Sequence, residues 1–185
     1  MQSNPEAAEG EQWPAGARWY AVYTKHQHEK KCADLLVRKS LETYLPLYQS
    51  VRRWQDRKKL IALPLFPSYV FVRSTLETRS EILSTPGVFF IVGVAGRACA
   101  IPDQDVESMR TMTTSRARIE PHPFLKSGEH VRIFRGPLTG VHGILSRANN
   151  KDRVVLCVEP LQKAVSVEVD MADVEKVSGP ARQTP

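Results

Sequence analysis

Only three cysteines occur in the 185 residues, Cys32, Cys99 and Cys157, far apart and odd in number. That count excludes a disulfide framework or a zinc site and fits buried thiols in a reducing cytosol. No apolar run approaches the roughly 20 residues that a membrane-spanning helix needs, so no membrane is expected as a partner. Met1 to Gly10 carries Glu6 and Glu9 without any Lys or Arg, unlike the basic start of a signal peptide. The expectation is a soluble cytoplasmic protein. Catalytic signatures are missing as well: there is no G-x-x-x-x-G-K-[ST], no G-x-G-x-x-G after a strand and no G-x-S-x-G. His26 and His28 are two residues apart and diverge on a helix, so they cannot share a metal. His122, His130 and His142 have no acid–His–nucleophile pattern around them. Asp103 and Asp105 read as helix-start residues rather than a catalytic pair. No enzyme, metal or cofactor is expected.

What remains is an ordinary globular composition, 42% hydrophobic and 25% charged, with a formal net charge of +6. The excess is localised, since residues 18–60 hold eleven Lys/Arg against four acids. A basic first segment of this kind meets phosphates or an acidic partner, or forms a well-solvated face. Residues 1–17, small and polar, read as a tail. Trp19 to Thr24 is aromatic and β-branched, a strand, and His28 to Ser40 follows as a helix with a Leu35/Leu36 stripe opposite a basic face. Thr43–Leu47 and Ser50–Trp54 read as strands, with Gln55-Asp56-Arg57-Lys58-Lys59 as an exposed hairpin tip.

Ser68 to Arg73 carries the strongest strand signal. Glu77–Ser84 reads as a helix closed by Pro86-Gly87, Val88–Val94 as a strand, Ala98–Ile101 as a return strand, and Pro102 to about Met112 as a helix. Pro121 and Pro123 with little periodicity mark residues 116–127 as a linker between two domains, 18–115 and 128–177, before a tail at 178–185. Ten valines between residues 127 and 177 favour short strands and a small barrel. In Ser68–Arg73, alternation puts Tyr69, Phe71 and Arg73 on one face and Ser68, Val70 and Val72 on the other. Two or three helices can cover the valine face and leave the aromatic face as a docking surface; the alternative is that both faces are covered. The glycines of Gly136-Pro137-Leu138-Thr139-Gly140-Val141-His142-Gly143 fit a compact loop with close backbone approach, or a plain barrel turn.

Trp19-Tyr20-Ala21-Val22-Tyr23, Leu65-Phe66-Pro67-Ser68-Tyr69-Val70-Phe71-Val72, Thr85-Pro86-Gly87-Val88 and Ile101-Pro102-Asp103 resemble the amino-terminal (NGN) domain of the NusG family. Gly128 to Ile133, the loop Gly136–Gly143 and Val167-Glu168-Val169 resemble its KOW domain. The implied fold is α+β: an NGN-type α/β sandwich with an antiparallel sheet, followed by a small SH3-like all-β KOW barrel. The implied function is a non-catalytic transcription elongation and antitermination factor bound to RNA polymerase, docked on the β′ clamp helices and bridging to the β subunit. Carried over by position, Tyr23, Pro46, Phe66, Tyr69 and Phe71 form the clamp-helix contact. Thr78, Arg79 and Ser80 face the β gate loop, and Lys25, His26, Gln27 and Lys31 face the non-template DNA strand. Gly136, Pro137, Gly140 and Gly143 form the KOW loop.

Ser68 stands where housekeeping NusG has Gly, and Leu161-Gln162-Lys163 where its KOW domain has Phe-Gly-Arg. These departures resemble the specialised RfaH- and UpxY-type paralogues and loosen the implied KOW contacts with a ribosomal protein or Rho. Helical refolding of the KOW segment, known among those paralogues, is countered here by its valines and by Pro160, which favour the barrel. An RNA- or ribosome-binding KOW protein is the competing reading, with the basic first segment as its RNA surface. A nucleic-acid enzyme is a third, with no motif behind it.

Overall fold

The computed structural model describes residues 16–54, 57–115, 117–148 and 151–178. Residues 1–15 and 179–185 of the expected tails, and Gln55-Asp56 of the expected hairpin tip, lie outside them, while Arg57-Lys58-Lys59 of that tip stand at the start of a strand instead. The chain runs β1 (Arg18–Thr24), α1 (Glu29–Arg38), β2 (Glu42–Tyr44), β3 (Leu47–Trp54), β4 (Arg57–Pro64) and β5 (Tyr69–Ser74). A 3-10 turn (Leu76–Thr78) leads into the short α2 (Arg79–Leu83), followed by β6 (Val88–Ile91), β7 (Gly93–Val94), β8 (Arg97–Ala98), β9 (Ala100–Ile101) and α3 (Asp103–Thr114). The remainder is strand: β10 (Ile119–His122), β11 (His130–Ile133), β12 (His142–Ala148), β13 (Lys151–Val158), β14 (Lys163–Glu168) and β15 (Val174–Lys176).

The first sheet has the order β2-β5-β1-β6, with β9 pairing the other half of β1's outer edge, all antiparallel. Its strand alternation creates two faces. On one, Val22, Val70 and Val72 pack with Leu36, Leu41 and Ile82, so α1 and α2 cover the valine side. Helix α1 stops cleanly because Ser40 turns left-handed at φ 60. Ser40 N–H then donates to Val37 C=O and Leu41 N–H to Leu36 C=O, while Leu41 packs back on Leu36. This arrangement satisfies the helix's last carbonyls and seals its end with an apolar contact.

On the opposite face the second alternative holds, and the aromatic side is largely covered as well. Helix α3 lies across it, burying Val106, Met109 and Met112 against Trp19, Ala21, Phe66 and Phe71. Arg110 fixes that helix in place. Its guanidinium sits 5.5 Å from the Trp19 ring and 4.9 Å from Tyr44, and it pairs with Glu42 at 3.3 Å. The same apolar cluster continues into the second half of the chain through Leu156, Val158, Leu161 and Val165.

The second half is a six-stranded antiparallel sheet ordered β10-β14-β13-β12-β11-β15. Its first strand corrects the linker reading: Ile119 to His122 pair with Val167 to Ala164 despite Pro121. An edge strand tolerates a proline because one row of its N–H groups has no ladder to join. Arg153 Nη1 donates to Glu120 Oε2 at 2.6 Å, clasping β10 to β13 across β14 and holding the Glu120 carboxyl below its ordinary range.

Candidate functional site

Tyr23 and Tyr69 are direct partners in the β1–β5 register. Their rings meet edge to face at 5.3 Å, and Phe90, opposite Tyr23 on β6, stacks on it at 4.9 Å. Phe89 adds a fourth ring 6.1 Å from Tyr23. Phe89 is 59% and Phe90 50% exposed, while the two tyrosines are half-buried. The result is a patch of four aromatic rings, two of them half or more exposed. Burial, with Tyr23 beside it, pushes the Tyr69 phenol above its usual range.

The other residues expected in this contact lie deeper. Phe71 is 0% and Phe66 2% exposed, packed edge to face at 5.9 Å beneath the patch. Pro46 is buried, and its carbonyl accepts Leu65 N–H at 2.8 Å. Conversely, Phe89 and Phe90 were absent from the expected set. Their doublet after Pro86-Gly87 was visible, but only the β1–β6 pairing brings it against Tyr23.

Beside the patch runs the β1–α1 loop, with Lys25, His26 and Gln27 exposed and Lys31 exposed on α1. The loop is held by its backbone. Lys25 N–H donates to Gly87 C=O at 2.8 Å, and Gln27 is left-handed at φ 62. Buried Glu29 accepts Ser68 N–H at 2.7 Å, and His26 Nδ1 lies 3.5 Å from Ser68 Oγ. Ser68 itself has φ 68, a conformation suited to glycine. Gln162, in the second departure from the resemblance, is likewise left-handed at φ 50.

Thr78 closes the 3-10 turn with its hydroxyl on Thr75 C=O and Ser74 Oγ, while Arg79 and Ser80 open α2 on the surface. In the second sheet, Gly136 and Gly140 adopt φ 85 and 91 around exposed Pro137, and Gly140 N–H donates to Ile133 C=O. Gly143 is required by close approach, because a Cβ there would sit 2.6 Å from Val155 O.

The second sheet reaches the patch. Lys163 Nζ stands 5.5 Å over the Tyr69 ring, and Ser108 on α3 accepts His142 N–H at 3.1 Å. Near this junction Asp105 titrates anomalously: burial first, then the Glu159 charge, pushes its carboxyl up to about 7. Burial raises the Cys157 thiol and lowers His142. Among the described residues no group of three or more His, Cys, Asp or Glu is placed to hold a metal ion. No described helix is long and apolar enough to cross a membrane.

Against known proteins, the family model described as "Transcription termination factor nusG" matches residues 17–110. Proteins named "Transcription termination/antitermination protein NusG" align along nearly their whole length. That of Borreliella burgdorferi is 25% identical, covering 86% of this chain and 98% of its own. That of Deinococcus radiodurans is 27% identical over 85% and 98%, and that of Escherichia coli K12 27% identical over 86% and 96%. A solved structure, "Domain interaction in Thermotoga maritima NusG", aligns over 88% of this chain and 98% of its own at 20% identity with a TM-score of 0.49. The family match takes in every strand of the first sheet, both helices on its valine face and most of α3, and the chain belongs to the NusG family of transcription termination and antitermination factors.

Proposed function

We propose that this chain is an RNA polymerase-bound elongation and antitermination factor, a specialised paralogue of the RfaH/UpxY kind, acting without catalysis of its own in the cytoplasm. The observation that carries the reading is the half-exposed cluster of Tyr23, Tyr69, Phe89 and Phe90. It offers a coiled-coil such as the β′ clamp helices an apolar seat, with Phe66 and Phe71 supporting it from below rather than touching the partner. Residues 18–115 form the polymerase-binding unit, and residues 128–177 form the KOW barrel with the Gly136–Gly143 loop. Exposed Arg79 and Ser80, with Thr78, face the β gate loop. Lys25, His26, Gln27 and Lys31 meet the non-template strand through phosphates, which gives salt-dependent affinity without sequence readout. The specialised reading is supported by Ser68 and Gln162, two left-handed residues where the housekeeping pattern has glycine.

The test is binding to core RNA polymerase in competition with housekeeping NusG. Tyr69→Ala with Phe90→Ala is expected to abolish displacement while the melting curve stays cooperative. Retained binding in that variant, or no binding by the parent at low salt together with capture by ribosomes or RNA, would turn the assignment to the RNA-binding alternative. Because Lys163 stands over Tyr69, docking must disturb that cation–π contact. Lys163→Ala is therefore expected to tighten polymerase binding by about two- to fivefold, the equivalent of roughly 0.5–1 kcal/mol.

A further inference from the structure

Helix α3 meets the second sheet along one stripe. Asp105, Ser108, Met109 and Met112 stand at i, i+3, i+4 and i+7, positions that share one side of a helix. Met109 and Met112 are fully buried in the apolar cluster that also holds Leu156, Val158 and Leu161. Ser108, also buried, accepts the His142 N–H across the junction at 3.1 Å. The helix packs on β12 and β13, and the 3-10 turn Glu159–Leu161 packs on β9, the strand just before it. Half-buried Asp105 thus brings a carboxyl to the rim of a largely apolar seam.

Its surroundings suit that carboxyl poorly as an anion. From the 3-10 turn comes Glu159, a second carboxylate whose charge acts on it. From β13 comes Cys157, whose thiol feels the Asp105 charge and is bonded by the Leu125 backbone, with exposed Lys126 next in the chain. His142 of β12 pairs in register with Arg132 and lies in the field of that cation and of Glu175. Lys163 of β14 stands over Tyr69. On α3 itself, Asp103 and Glu107 pair with Arg73 and Arg110. Strand β9 adds no charge, and β1 adds only exposed Arg18.

We propose that Asp105 is a proton-controlled latch between the two sheets: protonated, it lets α3 seat on the second sheet, and when its proton passes to solvent the halves part. Two like charges, Asp105 and Glu159, then repel across a seam with little water to screen them. Parting breaks the Ser108–His142 bond and lifts Lys163 from Tyr69, which clears the aromatic patch. The value of a cleared patch to a partner rests on the polymerase reading; the latch itself does not. Burial and Glu159 push the Asp105 carboxyl from 3.8 up to about 7 while the seam is closed. If opening returns it to its ordinary range, the open-to-closed ratio climbs about tenfold per pH unit between about pH 4 and 7 and levels off above that.

The test is amide NMR on the full chain between about pH 5 and 8, the range that brackets the latch. Two quantities are read: the rotational correlation time of each sheet, and the exchange protection of the His142 amide relative to that of Leu156 within the β13 ladder. The parent is expected to pass from one shared correlation time at the acid end to two shorter ones at the basic end, with His142 protection falling in step. Asp105→Asn should keep shared tumbling and His142 protection throughout. Glu159→Gln should open less than the parent at every pH, and it carries the comparison if Asp105→Asn fails to fold. Tumbling and His142 protection that do not change with pH in the parent overturn the proposal. So does an Asp105→Asn variant that opens as the parent does, which would hand control to His142 or another group. Collapse of the second sheet's resonances at the basic end, which marks unfolding rather than parting, overturns it as well. Polymerase binding enters none of these readouts, so the latch and the polymerase reading fail separately.

Discussion

Phe71 and Tyr69 stand two residues apart on one face of β5 and perform different work. Phe71 has no exposed surface and touches Phe66 and Tyr44, so Phe71→Ala leaves a cavity. It is expected to cost about 3–5 kcal/mol by chemical denaturation. Tyr69→Ala, half-exposed at the patch, should cost much less and act on partner binding instead. Ser68, between Pro67 and this strand, holds a left-handed backbone that suits glycine better. Ser68→Gly is expected to raise stability by about 0.5–1 kcal/mol, a gain visible as a higher denaturant midpoint. Glu29 tests the same corner from the other side. Glu29→Ala leaves Ser68 N–H buried without its acceptor and should cost about 1–3 kcal/mol.

At the scale of elements, much was legible because local chemistry and tertiary packing agree. The period-3.6 stripe of α1, the aromatic β1, the alternation of β5 and the Pro102 helix start all place elements where the sequence reading put them. Three features were not legible locally: strand β4, whose first residues Arg57-Lys58-Lys59 read as a hairpin tip, strand β10, and the sheet face that α3 covers. Strand β10 hides behind prolines that an edge position tolerates, and its pairing with β14 lies some forty residues away along the chain. Helix α3 was located, but nothing in its periodicity says which sheet face it covers; Arg110, reaching Trp19, Tyr44 and Glu42, decides that. The aromatic site was half legible for the same reason. Tyr23 and Tyr69 could be named, yet the burial of Phe71 and the arrival of Phe90 depend on α3 and on β1–β6 pairing. Arg110→Met is expected to loosen α3, seen as faster amide exchange across Val106–Met112 while α1 protection is retained.

For the whole molecule, the junction between the first sheet and the second is sensitive to pH. Asp105 has its carboxyl raised from 3.8 to about 7. A raised carboxyl stabilises the folded state most when it is protonated. That contribution is full below about pH 4, declines as pH rises, and is gone above about pH 7. The thermal midpoint of the parent should therefore fall between pH 4 and 7 relative to that of Asp105→Asn, with the gap closing at the acid end. The junction is also governed by the chain joining its parts. Helix α3 ends at Thr114 and β10 begins at Ile119, which leaves four residues as the tether. Four residues span at most about 14 Å, so each half lives in a high effective concentration of the other. If β10 peels from β14, the tether becomes the fifteen residues from 115 to 129 before β11. Its reach then grows to about 50 Å. The edge strand is thus a leash with two lengths, and its four register pairs set how far the second sheet can travel while remaining attached to the first.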